Sequence, residues 1–284
     1  MGASPNVLAV LPGIVPSTTL CVVKPLIFLQ SAGRLKARVA LESSVSRRDF
    51  EWASLVIFSR NCEPLFDGYR QFVAERGIPY IYDIDDNLLA LTESSKLGRD
   101  LRRSGALQCL EKYLKGAALA RVYSRPMLQQ VVALGARAQL VVPPVDWSVI
   151  APFHEGRKSD RVKIVYATSR MEDELAELFV PALVDLLREY GDRIEVFFFG
   201  SKPASPSGRN VHFSPFTPNY DRFMGKFSRG GFDIGLAPLQ DDLFHRSKTN
   251  NKFREYGACR IAGIYSNVDV YSECVKDGET GLLV

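Results

Sequence analysis

The stretch FDIGLAPLQDDLFHRSKTNNKFREYGACRIAGIYSNVDVYSECVKDGETGLLV, residues Phe232–Val284, decides the fold. Phe232–Pro238 is apolar and of strand length, and a polar loop follows it, which reads as a buried strand running out to a surface turn. Lys248, Thr249, Asn250, Asn251 and Lys252 then lead into an amphipathic segment carrying Phe253, Tyr256 and Ala258, the start of a helix. A second strand of small and branched residues comes next. A helix N-terminus has unpaired N–H groups and a positive end, so lysines at that turn make a pocket for a diphosphate. Glu255, one turn in, is placed to accept hydrogen bonds from a sugar or ribose hydroxyl. The same charges also suit a solvated helix start whose lysines touch only water, and spacing does not choose between the two.

Outward from this stretch, strand-like and helix-like segments alternate along the whole chain, the pattern of parallel sheets covered by helices. In the first half strands are expected at 7–11, 37–41, 55–58, 80–84, 121–124 and 139–142. Helices fit between them near 18–31, 63–76, 101–114 and 126–134. From Pro143 the run PPVDWSVIAPFHEGRKSD breaks the alternation with prolines and charge, as a linker does. A second series follows, with strands at 163–166, 195–199, 211–213, 233–237 and 261–266. Its helices are expected at 173–190, 221–227 and 251–257, with a final short one. The fold class is therefore α/β, with two Rossmann-like doubly wound domains: 1–145, a linker at 146–160, and 161–284.

The densest acidic cluster is YDIDDN, with Asp83, Asp85, Asp86 and Asn87 at the end of a strong strand. In doubly wound sheets ligands bind beyond the carboxyl ends of strands, where carboxylates can orient an acceptor hydroxyl or take its proton. Asp83 and Asp85 also spell Asp-x-Asp, which in another transferase fold holds a divalent metal through oxygen ligands. A third use is capping of the next helix by Asp86 or Asn87. Gly13, after the first strand, either lets a ligand approach the backbone or simply makes a tight turn. Arg170 follows the strand at 163–166 and can fork onto phosphate oxygens or pair with Glu172 or Glu174. Phe216, in HFSPFTPNY, can lie against a nucleobase or pack within its loop. Of three histidines, only His245 sits in the lysine-rich loop. There is no G-x-S-x-G, no zinc spacing, no Walker loop and no G-x-G-x-x-G, which removes support from hydrolase, metalloenzyme, kinase and dinucleotide readings.

The order DIGLAPL, loop, K-x-x-x-K-F-x-E-Y, small-residue strand and G-x-T-G-L-L-V resembles the donor half-site of retaining nucleotide-sugar-dependent glycosyltransferases of the GT-B fold, family 4 or group 1 type. The resemblance covers Ile164–Val284 well and the first half more loosely. It implies that Lys248 and Lys252 contact the donor diphosphate or sugar and that Glu255 holds the ribose. Arg170, Phe216, Asp242, His245, Asn250 and Asn251 would complete the donor side. Asp85 and Asp86 would act catalytically on the acceptor, with Gly13, Asp83 and Asn87 around it. The family pattern has a second glutamate eight residues before Glu255; here that position is Ser247, and Asp241 or Asp242 is the available substitute. Family members continue past the point where this chain stops, so the second domain is expected to be incomplete.

Composition agrees with a globular protein: 284 residues with 46% apolar content supply a core for each domain. Cys21, Cys62, Cys109, Cys259 and Cys274 are odd in number and lack metal-ligand spacing, which favours a reducing compartment and a cytoplasmic protein. The formal charge of +4 is uneven: 18 Lys and Arg against 13 Asp and Glu through Asp146, and 18 against 19 beyond it. Much of the excess lies in KLGRDLRRSGALQCLEKYLKG, a basic amphipathic segment. Arg99, Arg102 and Arg103 there can touch an anionic membrane at its inner face or form a solvated face. The expected activity is transfer of a sugar from a nucleotide-diphosphate sugar to a glycan or glycolipid acceptor with retention, without metal or cofactor and without nucleic acid. The alternatives are a non-catalytic nucleotide-sugar or glycan binding partner of the same fold, and an epimerase.

Overall fold

The computed structural model describes residues 4–152, 160–169 and 174–284. The chain divides into two compact units, Met1–Pro144 with Ser247–Thr249, and Val145–Arg246 with Asn250–Val284.

The first unit is a six-stranded sheet in the order β2-β1-β3-β4-β5-β6, every neighbouring pair parallel. β1 (Asn6–Leu11) leads to α1 (Pro16–Thr18), a wide π-type turn at Thr19–Val23, and α2 (Lys24–Ser31). β2 (Lys36–Leu41), α3 (Arg47–Trp52), β3 (Leu55–Ser59) and α4 (Asp67–Glu75) follow. The unit closes with β4 (Tyr80–Asp83), α5 (Lys96–Arg103), α6 (Ala106–Gly116), β5 (Leu119–Val122), α7 (Arg125–Ala133) and β6 (Ala138–Leu140). Central β1 is buried from Val7 to Leu11, as an unbroken apolar run must be when helices cover both faces. Phe50, Phe58, Tyr82 and Tyr113 are fully buried, with Phe58 and Tyr113 edge to face at 5.0 Å. Burying each side chain of this size stabilises by roughly 1.5–3 kcal/mol.

One expectation fails here. The single helix at 101–114 is two helices, because Gly105 adopts φ +78° between them, a left-handed conformation that glycine reaches without a Cβ penalty. α3 was not anticipated either. Its signal was a capping box, in which Asp49 accepts hydrogen bonds from the Ser46 backbone N–H at 3.1 Å and hydroxyl at 2.7 Å.

In the second unit the sheet order is β12-β11-β10-β7-β8-β9, again all parallel. Its elements are β7 (Val162–Ala167), α8 (Val180–Tyr190), β8 (Ile194–Gly200), β9 (Val211–Pro215), α9 (Tyr220–Phe227), β10 (Ile234–Ala237), α10 (Leu243–Arg246), α11 (Asn251–Ala258), β11 (Ala262–Tyr265), α12 (Asp269–Ser272) and β12 (Leu282–Leu283). The order reverses between β7 and β10, the switch point at which such sheets bind ligands. Ile164, Tyr166, Leu183, Ile194, Val196 and Phe198 form a core between the sheet and α8. The helix expected at 173–190 begins only at Val180, since Pro181 is tolerated in a first turn and not in a helix interior. At the end of β8, Gly200 has φ +94°, and a Cβ there would lie 1.7 Å from the Thr168 carbonyl oxygen, so this close approach of two strand ends requires glycine. Among the described residues no helix is long and apolar enough to cross a membrane.

Candidate functional site

At the carboxyl end of β4 the acids of YDIDDN separate into distinct environments. Asp83 is buried; its Oδ2 accepts from the Ser59 hydroxyl at 3.1 Å and its Oδ1 from the Tyr123 hydroxyl at 2.5 Å, with Arg121 Nε at 3.3 Å. Burial pushes its carboxyl up to about 6, and Asp85 adds to the rise; Arg121, Tyr123 and Ser59 pull against it. Asp85 is also buried, and burial followed by the neighbouring Asp86 raises its pKa against the opposing Arg60 and Ser17. The two side chains of the Asp-x-Asp pair thus bond to different partners. Among the described residues no group of three or more His, Cys, Asp or Glu could hold a metal ion.

Asp86 sits between two cations. Arg60 Nη2 donates to its Oδ2 at 3.0 Å and Lys248 Nζ to its Oδ1 at 2.5 Å. Lys248, expected on a diphosphate, belongs with Ser247 and Thr249 to the first unit and is 19% exposed. Ser247 is buried: its hydroxyl accepts from the Asn87 amide at 2.9 Å, and its carbonyl accepts from the Ser124 hydroxyl at 2.8 Å. Asn87 also donates to Gln130 at 2.6 Å, while its own Oδ1 is buried without a hydrogen-bond partner among the described residues.

In the second unit, α11 starts beyond the carboxyl end of β10, beside the switch point. Lys252 Nζ donates to Glu255 Oε2 at 2.7 Å and lies 5.8 Å from the Phe223 ring centre. Glu255 is only 8% exposed, and Tyr220 shares a side-chain hydrogen bond with it; burial, then the Glu255 charge, raises the Tyr220 pKa. Asn250 accepts from Arg254 Nε at 2.9 Å and Asn251 from Arg254 Nη2, so both side chains are held by their own helix. The lysine-rich turn is therefore one cation on a buried carboxylate at a helix start, with two asparagines tied back.

No protein-family model and no curated protein sequence matches the chain. Solved structures do. HepE from Anabaena, determined with UDP-glucose, matches with a TM-score of 0.66 at 14% identity, over 99% of this chain and 85% of that one. Sucrose-phosphate synthase from Thermosynechococcus elongatus matches with 0.65 at 12% identity, over 98% and 86%. An α-glucosyltransferase in complex with UDP and a DNA 13-mer matches with 0.63 at 11%, over 94% and 81%. The fold is GT-B.

The remaining GT-B donor-side expectations fall in several places. Asp242 accepts from the His245 backbone N–H at 2.9 Å and pairs with His245 Nδ1 at 2.7 Å, so it caps the short α10. Its pKa is lowered: burial acts upward, and the hydrogen bonds and charge of His245 outweigh it. Asp241 pairs with Arg246 at 2.5 Å. Phe216, just beyond β9, is 40% exposed. Gly13 needs no left-handed conformation and an added Cβ would meet nothing within 4 Å, so the protein itself does not demand glycine there. Its carbonyl accepts from the Thr18 hydroxyl at 3.3 Å. Arg170 lies outside the described residues. Reasoning from sequence missed Arg60, Arg121, Tyr123, Tyr220 and Arg254. Only Arg254 carried a local signal, three and four residues after its asparagines. Cys21, packed near Tyr123, is pushed up to about 12 by burial first and Asp83 second, which leaves it an inert thiol.

Proposed function

We propose that this chain is a glycosyltransferase that moves a sugar from a nucleotide-diphosphate sugar to a glycan or glycolipid acceptor with retention. The observation that carries the reading is the start of α11, where Lys252 rests on buried Glu255 at 2.7 Å beyond the carboxyl end of β10. An ammonium and free helix N–H groups at that position suit a diphosphate, and Glu255 suits a ribose hydroxyl. Support also comes from HepE, whose crystal structure holds UDP-glucose in the same fold. Charge builds on the diphosphate oxygens as the glycosidic bond breaks, and a fixed cation and aligned N–H groups act most strongly on such developing charge. Lys252 and the α11 N-terminus would hold the leaving group. Asp85 and Asp86, at the end of β4, would orient the acceptor hydroxyl. Metal-independent chemistry and a cytoplasmic location, with at most weak peripheral contact to an anionic membrane, belong to the same reading as expectations.

A second reading, a non-catalytic nucleotide-sugar binder, is favoured by one observation. Ser247, at the place of the family's second glutamate, is buried and spent on Asn87 and Ser124, so it offers no carboxylate to a donor sugar. The test is a thermal-shift screen of nucleotide sugars, followed by transfer and hydrolysis assays on each hit. Stabilisation by one of them with turnover supports transfer. Stabilisation without turnover supports the binder, and no stabilisation by any of them overturns both.

A further inference from the structure

Arg60 stands at the end of β3, and nothing in the sequence marked it. Its backbone is left-handed at φ +65°, a conformation that costs a residue with a Cβ energy and persists only where the surroundings enforce it. What enforces it is on both sides. Its N–H donates to the Asp83 carbonyl at 3.0 Å, tying the β3 end to the β4 end. Its guanidinium then reaches three groups: Asp85 Oδ1 at 3.4 Å from Nε, Asp86 Oδ2 at 3.0 Å from Nη2, and the Ser17 hydroxyl at 3.3 Å from Nη1. Ser17 follows β1, so one side chain joins the carboxyl ends of β1, β3 and β4. In the order β2-β1-β3-β4 the reversal falls between β1 and β3, the switch point of this sheet.

Two adjacent carboxylates repel, and burial penalises Asp85 further. The planar, five-donor guanidinium answers both at once, which an ammonium on a flexible stem does less well. Both carboxylates therefore have their orientations set by the same group. We propose that Arg60 is the positioning residue of the acceptor half-site, fixing Asp85 and Asp86 in the arrangement that receives the acceptor hydroxyl. This rests on the glycosyltransferase reading above. Lys248 also holds Asp86, whereas Arg60 reaches Asp85, Asp86 and Ser17 together and so couples the pair.

The test compares wild type with Arg60→Gly and Arg60→Lys. Glycine accepts the left-handed backbone, so Arg60→Gly removes the guanidinium without straining the chain. Expected for Arg60→Gly is at least a 100-fold fall in kcat/KM for the acceptor, with the donor KM and the thermal shift by nucleotide sugar within threefold of wild type. Added guanidinium ion should restore at least tenfold of the loss, which a merely structural role would not permit. Arg60→Lys should fall between the two. Where Arg60→Gly melts too low to assay, Arg60→Lys carries the same comparison of acceptor against donor constants. The inference is overturned if acceptor turnover stays within threefold in both variants, if donor and acceptor constants fall together, or if guanidinium restores nothing. A wild type that binds no nucleotide sugar overturns the functional reading and this inference with it, whereas with a wild type that transfers sugar a failure in the variants counts against Arg60 alone.

Discussion

The two charged clusters of this molecule neutralise themselves in opposite ways. In the first unit the partners come from far along the chain: Arg60 meets Asp86 across 26 positions, Tyr123 meets Asp83 across 40, and Lys248 meets Asp86 across 162. In the second unit Lys252 meets Glu255 across three positions, and Arg254 meets Asn250 across four. The first cluster exists only once the ends of β1, β3, β4 and β5 have come together; the second is made by one helix turn. A pair is costly to break where a buried partner is left uncompensated, as Asp83 would be in the first cluster and Glu255 in the second. Charge at the first cluster is thus arranged by the fold of a whole sheet, and charge at the second by a single helix turn.

The largest expected effect tests that contrast directly. Lys252→Ala should cut sugar transfer by a factor on the order of 100 to 1,000, as loss of one cation at a developing anion does, and lower the melting temperature by leaving buried Glu255 without its cation. Lys248→Ala should lower both, because it strips one of two cations from Asp86. Steady-state kinetics and thermal melts of the two variants check this. If Lys252→Ala keeps transfer within threefold of wild type, the diphosphate reading of the α11 start is wrong.

How much of this was legible in the sequence follows the same division. The central strands of both sheets were readable because parallel strands covered on two faces must be largely apolar runs, as NVLAVL and VKIVYA are, whereas the two-residue edge strand β12 was not. The α11 start was readable because lysines and asparagines clustered at a strand-to-helix turn. Helix interruptions were not: Gly105 stands in a run of leucines and basic residues whose periodicity continues across it, and only φ +78° divides α5 from α6. Arg60 was illegible for a different reason. A lone arginine after an apolar strand is common, and its meaning depends on Ser17, Asp85 and Asp86 arriving from separate loops. The functions given to Asn250 and Asn251 rested on their types, and the neighbour that occupies both side chains, Arg254, went unread.

A smaller effect, on stability, sharpens the first half of the comparison. Asp83 has a native pKa pushed up to about 6 from 3.8, chiefly by burial. The native state therefore holds the proton more tightly than the unfolded chain. This contribution is fully present below about pH 4 and is lost as pH rises through about 6, a change of about 3 kcal/mol at most. Denaturant melts of wild type from pH 4 to 7 should show that loss against the same series for Asp83→Asn, which has no carboxyl to ionise. Identical slopes would mean that Arg121, at 3.3 Å, keeps Asp83 ionised throughout, and the buried cluster would then be as charge-tolerant as the helix turn.

The smallest effect concerns a third set of charges, on α5, and whether it behaves like a folding cluster or a ligand surface. Arg99 Nη1 donates to the carbonyls of Glu93 at 2.6 Å and Ser94 at 2.8 Å, and Arg102 donates to those of Gly98 at 3.0 Å and Leu91 at 2.6 Å. Those bonds tie the loop before α5 to the helix, so two of the three arginines already serve the fold. A basic residue at an anionic bilayer contributes only ~1 kcal/mol, and salt screens it within a Debye length of about 8 Å at physiological ionic strength. Releasing Arg99 and Arg102 from their carbonyls would offset most of that gain. Replacing Arg99, Arg102 and Arg103 by glutamine should therefore change binding to anionic vesicles by less than threefold at physiological salt, while lowering the melting temperature by a few degrees through the freed loop. Sedimentation with vesicles of mixed anionic and neutral lipid, beside a thermal melt, reads both. A steep loss of vesicle binding with the melt unmoved would make these arginines charges kept for a partner.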